Sequence, residues 1–312
     1  MKNLAFFEQT LTERGTSVAL YDYAEANEEI CKNKSIVIHV HSQYTNPTVI
    51  RKFETRFGDR LISLLSYSQM PSIIELYKIE YLYVIKFGTI DNILPQKIPT
   101  LIHSVFAYEP HGRYACVSKN IAKKNEGVWL PHIVKPHLDT YLDFRKELQI
   151  PKAAYVYGRY GGKDTFSVDY VKKVIAQEID LHPNVYFLFA NTEQFISHPR
   201  VIFSTEIINP LVKAKFINTC DAMIHARLEG ETFGLSVAEF VSARKPVLTC
   251  PAIITEDNEH INLAKEWVIV FHNENELRKL LWKIPHIVPN TKNPYEIFSA
   301  EKVMEIFWEI LK

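Results

Sequence analysis

Two short stretches hold residues whose types and spacing suit a charged, hydroxyl-rich ligand. The first is Tyr157-Gly158-Arg159-Tyr160-Gly161-Gly162-Lys163-Asp164. A glycine-bearing bend between a strand and a helix turns unpaired backbone N–H groups outward and makes an anion site. Arg159 adds a planar fork and Lys163 a point charge, a pairing suited to a diphosphate. No Lys-Ser/Thr follows a glycine at the end of the bend, so the P-loop pattern is excluded. The second stretch is Leu228-Glu229-Gly230-Glu231-Thr232-Phe233-Gly234-Leu235-Ser236-Val237-Ala238-Glu239. Here too backbone amides meet a helix N-terminus, and Gly234 lets a ligand approach the chain closely. Glu239 lies just over one turn into that helix. Carboxylates beside an anion site are costly unless they bind something else, and sugar hydroxyls are the obvious candidate. The plain alternatives are a solvated basic turn and an acidic residue that complements the helix dipole.

Composition narrows the field. The chain has only 10 glycines in 312 residues, and five of them fall in these two stretches. Hydrophobic residues make up 47% and charged residues 23%, which excludes a disordered chain. Lys+Arg and Asp+Glu are both 36, so bulk attraction to nucleic acid is not indicated. Cys31, Cys116, Cys220 and Cys250 are scattered, which indicates neither a zinc site nor a disulfide framework. No apolar run reaches the ~18 residues of a membrane span, and a cytoplasmic location is the expectation.

The elements that must position the two stretches alternate along the whole chain. Strands are predicted over 4–7, 35–41, 61–65, 81–87, 100–105 and 114–117. Helices are predicted from a Thr16 or Ser17 cap to about 31, after Asn46-Pro47 with Gly58 as the stop, and after Ser118. The charged stretch 139–149 reads as helical, and a boundary is expected at Ile150-Pro151. The pattern restarts with strands at 153–157, 184–189, 201–204, 222–226 and 247–249, and with helices at 167–178, 210–220 and 234–243. Residues 293–311 read as one broken helix. This is an α/β chain with parallel sheets, divided into 1–150, 151–292 and 293–312.

With those residues in place, the chain resembles retaining GT-B glycosyltransferases, in particular glycosyltransferase family 4. Glu231 and Glu239, with seven residues between them around Phe233-Gly234-Leu235, resemble that family's Glu-x7-Glu motif. The turn from Gly158 to Lys163 is similar to its diphosphate-binding element, and Lys245-Pro246-Val247 to its strand entry. The resemblance spans about residues 150–255. It implies two doubly wound Rossmann-like domains facing across a cleft, with a C-terminal helix crossing back to the first.

It also implies roles. Arg159 and Lys163 would bind the diphosphate of a UDP- or GDP-linked sugar. Glu231 would hold donor-sugar hydroxyls and Glu239 the ribose. Gly158, Gly162, Thr232, Phe233, Gly234 and Leu235 would line the donor, with Thr205 near the base. In the first half Gly15 and Thr16 form a thin version of the acceptor loop, and His103 matches a position where a histidine faces the cleft and acts in catalysis. Thr232, Ser236 and Asp164 depart from the family's glycine, proline and glycine, which bears on donor-sugar choice.

The activity implied is sugar transfer with retention to a hydroxyl acceptor, by a front-face route without metal or cofactor. Nucleic acid is not an expected partner; a peripheral membrane contact is left open. The alternatives are a nucleotide-sugar epimerase and a non-catalytic nucleotide-sugar-binding subunit. His39 and His41 share a strand face, but no third metal ligand accompanies them. Tyr77, Tyr81 and Tyr83 lie close enough to form an acceptor or membrane surface.

Overall fold

Runs of β-branched and aromatic residues bounded by turn residues form the strands, and the stretches between them fold back as covering helices. The computed structural model describes residues 1–312. They form two units, residues 1–133 with 297–312, and residues 134–296. The first unit contains β1 (Asn3–Phe7), α1 (Gly15–Glu29), β2 (Lys34–Val40), α2 (Pro47–Phe57), β3 (Leu61–Leu64), α3 (Met70–Leu76), β4 (Tyr81–Lys86), β5 (Thr100–Ser104), β6 (Arg113–Cys116), α4 (Lys119–Lys124) and β7 (Val128–Trp129). Its sheet runs β3-β2-β1-β4-β5-β6-β7, parallel throughout.

The second unit contains β8 (Tyr155–Tyr160), α5 (Asp169–Glu178), β9 (Val185–Ala190), β10 (Val201–Ser204), α6 (Pro210–Thr219), β11 (Ala222–Ile224), α7 (Leu235–Ser242), β12 (Val247–Thr249), α8 (Glu259–Asn262), β13 (Val268–Val270) and α9 (Glu274–Leu281). Its parallel sheet runs β10-β9-β8-β11-β12-β13. In each sheet the winding direction reverses beside the first strand, between β1 and β4 and between β8 and β11. Such reversals open a crevice at the carboxyl ends of the strands, where ligands of doubly wound sheets bind.

The last helix, α10 (Ala300–Leu311), belongs to the first unit. Its buried face places Phe307 against Phe6, Tyr23 and Tyr83, and Trp308 against Tyr81. That packing corrects the expectation of a tyrosine surface, since Tyr83 is fully buried and Tyr81 faces Trp308.

Local signals act as expected at several ends. Asn46 accepts from the Thr48 and Val49 amides, Pro47 takes the first helical position, and Gly58 closes α2 at φ +57°. Ser118 caps α4 through the Ile121 amide. At α1 the cap differs. Arg14 occupies that position without a side-chain bond, and Ser17 instead donates to Glu8, 2.6 Å away.

The stretch 139–149 is not helical. Its groups bond elsewhere: Phe144 N–H donates to Thr219 Oγ1, and Arg145 reaches Asp221 and the carbonyls of Pro151 and Ala154. These bonds tie 134–150 to the second unit.

Candidate functional site

β8 delivers the first site residues at its carboxyl end. A Cβ on Gly158 would collide with Cys220 Sγ and press on the Phe240 ring, so this glycine serves the approach of strand and helices. The alternation of the strand then turns Arg159 and Tyr160 to opposite faces.

Arg159 is 3% exposed. Its Nη1 donates to Asn191 O (3.1 Å) and Thr192 Oγ1, and its Nη2 to Gly162 O (2.8 Å) and Thr165 Oγ1. All four terminal N–H groups are directed at loop oxygens. Burial lowers its pKa to about 10, with Glu231 opposing the shift. The sequence reading aimed this fork at a diphosphate, but in the structure it clamps the turn 161–165 to the segment after β9. Lys163 stands exposed in that turn.

The second loop leaves β11 and enters α7. Gly230 and Gly234 adopt φ +65° and +82°, a region where a Cβ is strained. Gly234 is the N-cap of α7, and no side chain caps the helix amides. Glu231 N–H donates to Asp257 O (2.7 Å), and Glu231 O accepts from Glu259 N–H (3.0 Å). Its carboxylate has two partners: His225 Nε2 stands 3.2 Å from Oε1, and Arg227 Nη1 stands 3.1 Å from Oε2. Burial alone would raise the Glu231 carboxyl, but His225 and Arg227 outweigh it and hold the pKa at about 2.

Behind this pair, His225 Nδ1 lies 2.9 Å from Thr249 Oγ1. The His260 ring lies 4.8 Å from that of His225, and its Nε2 donates to Cys250 O (3.1 Å). Burial holds His260 neutral, with a pKa of about 3. Phe233 is buried near Tyr295 (6.1 Å), so its side chain belongs to the core.

Glu239 sits where β8, α6 and α7 meet. Lys213 Nζ lies 2.5 Å from Oε1, and Tyr160 OH donates to Oε2. The Tyr160 ring stacks on Phe240 (5.6 Å) and meets Phe216 edge-on (5.7 Å). The structure thus brings Arg159, Glu231 and Glu239 to the carboxyl edge of one sheet, on both sides of the β8/β11 reversal. Thr205 is exposed after β10, and Asn209 closes the N-terminus of α6 by accepting from Leu211 and Val212.

In the first unit His103 is not a surface residue. It is fully buried, with Nδ1 2.6 Å from Tyr83 OH and Nε2 2.8 Å from Leu130 O. Both nitrogens are occupied and burial lowers its pKa to about 4, so it is a core histidine. His39 is buried with Nδ1 on Val40 O, and no group of three His, Cys, Asp or Glu side chains converges to hold a metal ion. Gly15 and Thr16 open α1, and beside them lies Glu8. Burial raises the Glu8 carboxyl to about 7 against its bonds from Ser17 and Thr16.

Sequence reasoning missed His225, Arg227, Tyr160, Lys213 and Glu8. For His225 and Arg227 a signal existed: polar residues two apart immediately after the apolar strand Ala222–Ile224.

No family model matches the chain, and no curated protein matches it. Solved structures do. HepE of Anabaena in complex with UDP-glucose is 12% identical, with 99% of this chain and 98% of that chain covered and a TM-score of 0.68. A glycosyltransferase of Rickettsia africae is 12% identical over 99% and 93% of the two chains, with a TM-score of 0.65. The UDP-GlcNAc 2-epimerase of Neisseria meningitidis bound to UDP-GlcNAc is 13% identical over 100% and 99%, with a TM-score of 0.59. The chain has the two-domain GT-B fold, with two parallel Rossmann-like sheets of seven and six strands.

Proposed function

We propose that the protein is a nucleotide-sugar-dependent glycosyltransferase that moves a sugar from a UDP- or GDP-linked donor to a hydroxyl acceptor with retention. One observation carries the reading: Glu231, held by His225 and Arg227 in the loop after β11, and Glu239, held by Tyr160 at the end of β8, stand with the glycine-bearing turn 161–165 at the carboxyl ends of β8 and β11. The resemblance to Glu-x7-Glu enzymes and the fold shared with HepE bound to UDP-glucose support it.

In this reading the nucleotide diphosphate lies against the turn 161–165 and the N-terminus of α7. Lys163 and the α7 amides stabilise the charge on the departing phosphate. A well-placed donor of this kind contributes ~3–4 kcal/mol to the transition state. Arg159 holds the turn in shape. Glu231, oriented by His225 and Arg227, accepts from sugar hydroxyls, and Glu239 accepts from the ribose. The bond between the anomeric carbon and the bridging phosphate oxygen breaks, with its electron pair staying on that oxygen of the diphosphate. The acceptor oxygen bonds to the same face, and its proton passes to the leaving phosphate oxygen. No cofactor is called on. The acceptor side falls to the first unit, around Gly15 and Thr16.

The epimerase among the structural neighbours keeps a second reading open on the same donor site. The deciding experiment is calorimetric titration with UDP, GDP and their sugars, followed by product analysis with and without acceptors. Saturable binding and acceptor-dependent sugar transfer support the transferase. An altered sugar released without acceptor supports the epimerase, and absence of binding removes both.

A further inference from the structure

Glu239 of α7 is held from two sides by residues on two other regular elements, neither of them a loop. Oε1 has Lys213 of α6 at 2.5 Å, and Oε2 has the hydroxyl of Tyr160 from β8. The Tyr160 ring is fixed between Phe216 and Phe240, and the Lys213 ammonium lies 5.8 Å from the centre of that ring. The Glu239 side chain keeps 22% of its surface exposed. A carboxylate offers about four lone-pair sites over its two oxygens, so each oxygen retains capacity for one more donor. Two acceptor atoms fixed side by side suit a vicinal diol, and pre-setting their direction lowers the ordering cost of binding.

We propose that Tyr160 and Lys213 are positioning residues that set the Glu239 carboxylate for the 2′- and 3′-hydroxyls of a ribonucleotide, and so give the site its preference for ribose over deoxyribose. The inference rests on the donor-site reading above and assigns a specificity role to two residues outside the Glu-x7-Glu motif. Burial and the neighbouring Glu239 charge push the Tyr160 phenol up, so it stays a donor over the working pH range. A purely structural bridge stitching α6 to α7 would affect stability and every ligand alike. A positioning role instead changes one ratio, the affinity for a ribonucleotide over that for its 2′-deoxy counterpart.

The test is calorimetry on the full chain with UDP, 2′-deoxy-UDP, GDP and 2′-deoxy-GDP. Wild type and the Tyr160→Phe, Lys213→Met and Glu239→Gln variants are compared. Tyr160→Phe keeps the ring packing and Lys213→Met keeps the aliphatic stem. A site built to bond a hydroxyl rejects the analogue lacking it, so wild type is expected to prefer the ribonucleotide by about tenfold or more. In Tyr160→Phe and Lys213→Met the ratio is expected to fall to about threefold or less, with 2′-deoxy affinity within about twofold of wild type. An unchanged ratio in both variants overturns the inference while leaving the donor site standing. Equal losses for ribo and deoxy ligands also overturn it. Failure of wild type to bind any of the four overturns the donor-site reading and the inference together.

Discussion

Arg227 and Glu231 face each other at 3.1 Å, four residues apart in one loop, and the guanidinium of one offsets the burial of the other's carboxylate. Without Arg227 the carboxylate would keep only His225 at 3.2 Å. Arg227→Met is therefore expected to raise the Glu231 pKa from about 2 toward the ordinary carboxylate range and to cost about 2 kcal/mol of stability. Because Glu231 is assigned to the sugar, affinity for a nucleotide sugar is expected to fall more than affinity for the free nucleotide. Paired titrations with UDP and UDP-glucose check this, and equal losses count against the assignment.

Lys163 and Arg159 are expected to separate cleanly. The Lys163 side chain is exposed, and its backbone bond to Glu193 survives truncation, so Lys163→Ala is expected to change stability by less than ~0.5 kcal/mol. Turnover is expected to fall about a hundredfold. Arg159→Ala removes four bonds from a buried clamp and is expected to cost about 3 kcal/mol, losing turnover through the collapsed loop. Urea unfolding beside initial-rate measurements distinguishes the two, and a stable but inactive Arg159→Ala would make Arg159 a direct ligand after all.

Acid–base linkage gives a prediction with two opposed signs. Glu8 has its folded pKa raised to about 7 from 4.5. The folded state then binds more protons, and the stability present below pH 4.5 is lost as pH rises through 7. His103 is lowered from 6.5 to about 4, so its unfolded state binds more protons and stability is lost as pH falls from 6.5 to 4. At ~1.36 kcal/mol per unit, Glu8→Gln is expected to gain about 3 kcal/mol on wild type between pH 4.5 and pH 7. Denaturation curves at several pH values read this difference directly, and parallel profiles would mean that Glu8 titrates as an ordinary carboxylate.

Gly158→Ala drives a methyl into Cys220 Sγ and is expected to cost about 1–3 kcal/mol. Cys220→Ala opens the same space from the other side. The double variant is expected to recover part of the loss, a coupling visible in a thermal double-mutant cycle.

The fold was largely legible from the residues. Apolar runs such as Ile36–Val37–Ile38 and the caps at Asn46 and Ser118 act locally, so their signals survive in one dimension. The region 139–149 misled because Arg145 and Phe144 bond to partners more than seventy residues away. At the site, glycine spacing and paired glutamates marked the right segments. Side-chain direction was not legible. Arg159 turns inward because four loop oxygens need donors, and His103 is buried because Tyr83 and Leu130 satisfy both of its nitrogens. Nor could the partners of Glu239 be read, since Tyr160 and Lys213 come from 79 and 26 residues away.

The return of α10 to the first unit sets an order on biosynthesis. Residues 134–296 are complete before α10 leaves the ribosome, so the second unit has its whole core available first. The first unit lacks Phe307 against Phe6, Tyr23 and Tyr83 until α10 has been made. The unit that is begun first therefore closes after the second, and it carries an uncovered aromatic seam while residues 134–296 are being made.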